Sequence, residues 1–332
     1  MKAMILEGVN QALVWKETPD LQPGEHEVVV KLAAAALNHR DVWIQQGQYA
    51  GLKFPIILGS DGAGVVAELG SGVDKSWLGK EVVVYPGTDW GDNLRAQSRQ
   101  FKILGLPENG TFAQFVKVPA ANLFAKPPHL SFAAAATLSL GGLTAFRVLF
   151  TRAHLQANER VLITGAGGGV AILVLQFALA AGAQVYVTSG TDEKIERARQ
   201  LGALGGVNYR TPDWDKQLRT QVEGFELIID SAGGDDFPKL LELALPGGRI
   251  ATYGATQGNP KSIDLRRIFW KQLDLLGSTM GTAQDFAAMV QFVTDKQITP
   301  VIDTIFPLAQ AEAAMRRMHA AEQFGKIVLA IE

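Results

Sequence analysis

The segment Ile163-Thr164-Gly165-Ala166-Gly167-Gly168-Gly169-Val170-Ala171 sets the tightest limits on how this chain can fold. It places a glycine cluster between a β-branched run, Val161 to Thr164, and an apolar run, Val170 to Ala183. A strand that turns through glycines into a helix lets backbone N–H groups approach a pyrophosphate closely, and the helix N-terminus adds a favourable dipole. The same turn also fits a tight strand-to-helix connection with no ligand. The apolar run contains Gln176 and is shorter than the roughly 20 apolar residues a bilayer span needs, which predicts a buried helix.

The segments after the turn decide between these readings. Gln184-Val185-Tyr186-Val187-Thr188 reads as a strand and Glu193 to Leu201 as a charged helix; Gly206-Val207-Asn208, Leu227 to Asp230 and Arg249 to Tyr253 read as further strands, with a helical segment from Pro238 to Ala244. Such alternation predicts an α/β domain, a doubly wound parallel sheet covered on both faces. The second strand ends about 20 residues after the turn, where a dinucleotide fold reads the ribose. Ser189 stands there. A site built for NAD places a carboxylate at that point to accept from the 2′-hydroxyl, and a carboxylate repels the 2′-phosphate that serine admits. Lys194 and Tyr209 stand where both can converge on that phosphate, although each taken singly also reads as an ordinary surface-helix or half-buried strand residue. The expected cofactor is NADPH, with Gly168 nearest the pyrophosphate and for that reason intolerant of a side chain.

The chain before about Lys126 has another texture. Ala12 to Trp15, Glu27 to Leu32, Gly64 to Leu69 and Glu81 to Tyr85 are short β-branched runs separated by Gly, Pro and Asp, which predicts an irregular, barrel-like β domain. The end, Ala283 to Glu332, mixes helix, the turn-prone Thr299-Pro300 and a terminal strand, Lys326 to Ile331. A length of 332 residues fits two domains, and 47% hydrophobic residues supply a core for each. With a net charge of −2 there is no basic surplus to neutralise a phosphate backbone, which argues against nucleic acid as a partner. Glu7 and Gly8 interrupt the N-terminus before any signal-peptide core forms, so the expected location is cytoplasmic and no membrane partner is expected. There is no cysteine, which removes disulfides, thiolate nucleophiles and cysteine-ligated metal together.

The whole chain resembles the medium-chain dehydrogenase/reductase superfamily, and within it the zinc-independent, quinone oxidoreductase-like branch. The residues that carry the resemblance are Ala36-Leu37-Asn38-His39-Arg40-Asp41, Gly47-Gln48-Tyr49, Gly59 to Val66, Gly110 to Val116, Leu143-Thr144-Ala145, the Gly165 to Ala171 turn and Phe324 to Leu329. The resemblance implies a GroES-like catalytic domain over 1–126 and 281–332, with a Rossmann dinucleotide-binding domain inserted over 127–280 and the nicotinamide held between them. It also implies a homodimer in which Leu273 to Met280 pairs across a two-fold axis. Zinc-dependent members place cysteine, histidine and cysteine where this chain has Asn38, Ser60 and Leu140, and a four-cysteine lobe near Trp90 to Gln100. Those ligands are missing, so no metal is expected.

Without a Lewis acid, alcohol oxidation loses its main source of alkoxide stabilisation. An acceptor that is already electron-poor needs less help, because a quinone or an α,β-unsaturated carbonyl spreads the arriving charge onto its oxygen, where neutral donors can stabilise it. The resemblance brings Asn38, Tyr49 and Ser60 to the nicotinamide side as candidate catalytic donors, although taken singly Asn38 reads as a turn residue satisfying backbone groups and Tyr49 as a core aromatic. The cofactor-binding set is Gly165, Gly167, Gly168, Gly169 and Val170 at the turn, Ser189, Lys194 and Tyr209 beyond it, and Thr144 and Lys326 in segments shared with the family. Asp41 reads as structural, bound to backbone donors or Arg40. Trp43, Phe54, Tyr85 and Trp90 are candidates to line an apolar slot, but core packing explains them equally well. The leading expectation is an NADPH-dependent quinone or enone reductase acting on small molecules. Reduction of simple aldehydes or ketones, and a catalytically silent NADPH-binding protein, are the alternatives.

Overall fold

A computed structural model describes residues Met1–Glu332. They form two compact units, one of Met1–Leu143 with Gly281–Glu332 and one of Thr144–Met280. Residues 127–143, expected in the Rossmann part, therefore belong to the β-rich unit. The reason is local packing. Ser131 accepts from the Ala134 N–H at 3.2 Å and starts the helix Phe132–Ala136, whose small buried residues Ala134, Ala135 and Ala136 let it lie close against the strands Glu27–Ala36 and Asp61–Leu69.

The β-rich unit is built around the strand Glu27–Ala36, which pairs antiparallel with Asp61–Leu69, Phe115–Pro119 and Lys326–Ala330. The strands Leu123–Ala125 and Glu81–Val84 extend this sheet on one side and Ile302–Pro307 on the other, while Lys2–Leu6, Val14–Glu17 and Ile56–Ile57 form a smaller sheet. Val28, Val30, Leu32, Val66, Val82, Phe112, Ile327 and Leu329 share one core, so the C-terminal strand is an integral part of the first unit.

The second unit is a six-stranded parallel sheet in the spatial order Gly205–Asn208, Gln184–Ser189, Arg160–Ile163, Phe225–Asp230, Ala244–Thr252 and Asp274–Gly277. Counted along the chain this is 3-2-1-4-5-6, the doubly wound order that puts a ligand crevice at the carboxyl ends of the strands where the winding reverses. Central residues such as Val161, Leu162, Ile163, Leu227, Ile228 and Ile229 are fully buried, as a sheet covered on both faces requires. The helix Gly169–Ala180 buries Ala171 through Leu175 as well as Phe177 and Ala178, so its lack of a polar face reflects burial within the domain. The last strand is shorter than the expected 273–280 and lies on the sheet's edge. No helix is long and apolar enough to cross a membrane.

Candidate active site

In the β-rich unit, strand register gathers residues that lie far apart in the chain. Ala36 pairs with Asp61 on one side and Val328 on the other, and the Leu37 N–H donates to the Ile327 carbonyl at 3.0 Å. Asn38, Asp61 and Lys326 therefore meet. The Lys326 ammonium donates to Leu37 O at 2.7 Å, Asn38 Oδ1 at 2.8 Å and Asp61 Oδ2 at 2.8 Å. An ammonium has three protons and no lone pair, so these bonds use it completely. Lys326, expected among the cofactor contacts, is instead a buried tie between strands, 2% exposed. Burial pushes the Asp61 carboxyl up, against the pull of the Lys326 charge; Asp61 Oδ1 also accepts from the Leu140 N–H at 2.7 Å.

Because Lys326 can only donate, it decides which way the Asn38 amide faces: oxygen toward the ammonium, nitrogen away. That Nδ2 is buried and has no partner in hydrogen-bonding geometry, although the Asp61 carboxylate is nearby. An unmet buried donor costs about 1–3 kcal/mol and calls for a reason. The Asn38 backbone N–H is committed, donating to Asp41 Oδ2 at 2.8 Å at the start of the helix His39–Gln45. Asp41 Oδ1 accepts from the Gly59 N–H at 3.3 Å, so Asp41 is a fully buried tie between two backbone segments. Burial raises its carboxyl to about 6, opposed by the neighbouring Arg40 charge and the Asn38 N–H.

Arg40 is also buried, yet pairs with no carboxylate. Its Nη1 donates to Ser60 Oγ at 2.6 Å and Leu104 O at 2.8 Å, its Nη2 to Leu106 O at 3.4 Å and its Nε to Tyr49 Oη at 3.5 Å. Ser60 in turn donates its own proton to Leu104 O at 2.7 Å. The expected role of Ser60 as a donor to substrate is therefore corrected: its hydroxyl is buried and spent on the protein. Tyr85 and Trp90 are likewise committed, Tyr85 Oη donating to Gly281 O at 2.9 Å and Trp90 packing edge-on against Phe101 at 5.0 Å. Phe54 packs against the core, and Trp43 lies 5.9 Å from the His39 ring.

The positions that hold zinc in zinc-dependent proteins of this kind do not fit zinc here. Catalytic zinc takes three protein ligands and one open position. Leu140 offers no ligating side-chain atom, the Asn38 oxygen faces an ammonium and the Ser60 oxygen faces a guanidinium. No group of His, Cys, Asp or Glu elsewhere assembles a metal site. A dication placed among these atoms meets two resident cations.

In the parallel-sheet unit, Thr164 Oγ1 donates to Asp230 Oδ1 at 2.6 Å, and Asp230 Oδ2 accepts from the Gly233 N–H at 2.9 Å, joining the ends of the two central strands. Gly165 has φ +68° and Gly167 φ +125°, backbone that L side chains rarely adopt. A Cβ on Gly167 would also stand 2.8 Å from Lys194 Cδ, so the lysine stem lies over the turn. Gly168, expected to be the most restrictive position, has φ −65° and ψ 145°, and a Cβ there meets nothing closer than Gly165 O at 3.7 Å. The protein leaves room at Gly168, so only a ligand can forbid a side chain there. Gly169 and Val170 are half-buried at the start of the helix, and Thr144 is buried in the short helix Leu143–Phe146.

Ser189 Oγ donates to Ala166 O at 2.6 Å and is buried, so this hydroxyl ties the second strand to the turn. It admits a phosphate by lacking charge, with its proton already used. A Cβ on Gly190 would meet Tyr209 Oη at 2.7 Å and Arg210 Nε at 3.2 Å. Arg210 was not among the residues singled out from sequence, and its side chain pairs with no carboxylate. The available signal was its place directly after Tyr209, whose N–H donates to Ser189 O at 3.0 Å. The cradle of positive-φ glycine, bordered by Lys194 and Arg210, fits a dinucleotide phosphate by shape and charge.

Comparison with known proteins agrees with this architecture. The family described as alcohol dehydrogenase GroES-like domain matches residues 24–128, and that described as zinc-binding dehydrogenase matches 169–295. The chain is 36% identical to the zinc-type alcohol dehydrogenase-like protein YogA of Leptosphaeria maculans, across 93% of this chain and 92% of that one. It is 27% identical to the acryloyl-coenzyme A reductase of Sulfurisphaera tokodaii, across 99% of both. A crystal structure of an NAD-dependent alcohol dehydrogenase superposes with a TM-score of 0.94 at 36% identity, covering 100% of both chains.

Proposed function

The chain belongs to the medium-chain dehydrogenase/reductase superfamily of oxidoreductases, and on that premise we propose that it is an NADPH-dependent, zinc-independent reductase of quinones or α,β-unsaturated carbonyls. The observation that carries this reading is the Asn38 amide, whose oxygen is locked on Lys326 and whose buried Nδ2 makes no hydrogen bond of good geometry, with only the Asp61 carboxyl close by. A fixed neutral donor suits an oxygen that gains charge through conjugation, where preorganised hydrogen bonds contribute most. The phenol of Tyr49 is the accompanying proton donor. Zinc has no place in the scheme because the donor set opposes it. The likeness to an acryloyl-coenzyme A reductase agrees with an activated double bond as the target.

NADPH, when bound, supplies the hydride. Gly165, Gly167 and the start of the helix Gly169–Ala180 would receive its pyrophosphate, and Lys194, Tyr209 and Arg210 its 2′-phosphate. Asn38 would hold the acceptor's oxygen and Tyr49 would deliver the proton. The working unit is a homodimer, supported by an unpaired sheet edge at Asp274–Gly277 beside a helix that leaves Trp270 82% exposed. We place the protein in the cytoplasm.

The likeness to an NAD-dependent alcohol dehydrogenase favours a second reading, reduction of simple carbonyls with NADH. Steady-state turnover on an enone and its saturated ketone, each with NADPH and NADH, separates the two. Turnover of the enone with NADPH, and little of the ketone, is expected. Faster turnover of the ketone overturns the enone assignment, and background rates on every acceptor leave a cofactor-binding protein.

A further inference from the structure

We propose that Arg40 is the positioning residue that aims the Tyr49 hydroxyl, an inference that rests on the reductase reading. A guanidinium has donors and no acceptor, so a phenol beside it must turn its oxygen lone pair toward the cation and its proton away. Arg40 favours this at Tyr49 through a long contact: Nε stands 3.5 Å from Tyr49 Oη, and the guanidinium carbon lies 5.0 Å from the ring centroid. The Arg40 contact is the one hydrogen bond that Tyr49 Oη makes to the protein, and there it accepts. The Tyr49 proton is left for whatever binds beside the ring.

The fork can act in this way because it is held from behind. Ser60 Oγ, Leu104 O and Leu106 O fix the two terminal nitrogens, which leaves Nε to face Tyr49. A buried guanidinium without a carboxylate partner is costly to keep. The usual compensation for such a charge is an anion; the neighbouring Asp41 carboxyl makes no direct ion pair with it, being tied to the Asn38 and Gly59 N–H groups, and a negative charge forming on Tyr49 during turnover would lie beside Nε. With the hydride that bound NADPH would supply added at the β-carbon of the acceptor, the C=C pair would move toward the α-carbon and carbonyl oxygen. The Tyr49 O–H bond then breaks, the proton goes to the α-carbon, and the bonding pair stays on the phenol oxygen beside Arg40. A solvent proton restores the phenol. Arg40 touches neither substrate nor cofactor in this scheme; it acts through Tyr49. Ser60 gains a role too, as the anchor of the residue that orients the donor.

The test is a double-mutant cycle on an enone with NADPH, using Tyr49→Phe, Arg40→Met, Arg40→Lys and the two combinations. Loss of a general acid lowers kcat about a hundredfold, within the range of such effects, and this is expected for Tyr49→Phe. Arg40→Met should lower kcat roughly tenfold or more, with KM for NADPH unchanged, and Arg40→Lys should recover part of the loss because an ammonium can also donate to Oη. In the Tyr49→Phe background both Arg40 changes should cost less than about twofold, since residues that act through one another are not additive. Equal losses in both backgrounds, or full kcat in Tyr49→Phe, overturn the role of Arg40 while leaving the reductase reading intact. Should Arg40→Met fail to fold, Arg40→Lys in the two backgrounds gives the same decision, with thermal midpoints to separate folding from rate. A parent protein that reduces no acceptor overturns both readings.

Discussion

Lys194 lies over Gly167 and Arg210 over Gly190, so two cations border the strand end at Ser189. A charge-assisted hydrogen bond to a phosphate is worth about 1.5–3 kcal/mol, roughly tenfold to a hundredfold in affinity. Lys194→Ala and Arg210→Ala should each weaken NADPH by about that factor and leave NADH nearly unchanged, and added salt should narrow the gap between the cofactors. Fluorescence titration with both dinucleotides checks this; equal affinities in the parent contradict it. Asp41 makes a different kind of prediction, because burial raises its carboxyl from 3.8 to about 6. Between those values the folded protein keeps a proton that the unfolded chain has lost. Stability from this residue is therefore complete at pH values below the unfolded pKa and lost as pH rises through about 6, an effect of about 3 kcal/mol. Urea unfolding across that window should show Asp41→Asn removing this pH-dependent loss, with the gap between parent and variant changing with pH. Parallel pH profiles in parent and variant would refute the assignment.

The elements beyond the site carry their own consequence. The strand Asp274–Gly277 is an edge with unpaired backbone groups, and the helix Leu265–Lys271 beside it exposes Leu265, Phe269 and Trp270. Exposed edges and contiguous apolar patches mark interaction surfaces, and edge-to-edge pairing of two identical strands across a two-fold axis buries both at once. Trp270→Asp with Leu275→Asp should convert a dimer to a monomer in analytical ultracentrifugation while NADPH binding persists. A parent that sediments as a monomer at micromolar concentration rules this arrangement out. The glycine turn teaches the complementary lesson. Its strand–turn–helix placement was legible from Ile163 to Ala171, because β-branched residues, glycines and a continuous apolar run each favour one local conformation. Which glycine is indispensable was not legible. Gly167 is held by its positive φ and by the Lys194 stem, whereas Gly168 has backbone any residue can adopt.

At the scale of the whole molecule, the donor set predicts indifference to zinc: activity should survive dialysis against a strong chelator, and elemental analysis should find no stoichiometric metal. One zinc per chain, lost together with activity, would count against the proposed chemistry. The sequence by itself determined the class of each half, because strand and helix periodicities, turn glycines and the missing cysteines are local properties readable along the chain. The strand end after the glycine turn marked Ser189, Lys194 and Tyr209 as places to look, and the family resemblance added Asn38 and Tyr49. Only the tertiary structure decided what those side chains have left to offer. Lys326 meets Asn38 and Asp61 because the register of Lys326–Ala330 on Glu27–Ala36 brings them together, and that meeting uses every ammonium proton. Ser60 commits its hydroxyl hydrogen to Leu104 O, and Asn38 Nδ2 is left without a hydrogen bond of good geometry, through contacts with residues distant in the chain. Hydrogen-bonding capacity belongs to residue type and is written in the sequence; how much of it remains unspent depends on neighbours that only folding supplies.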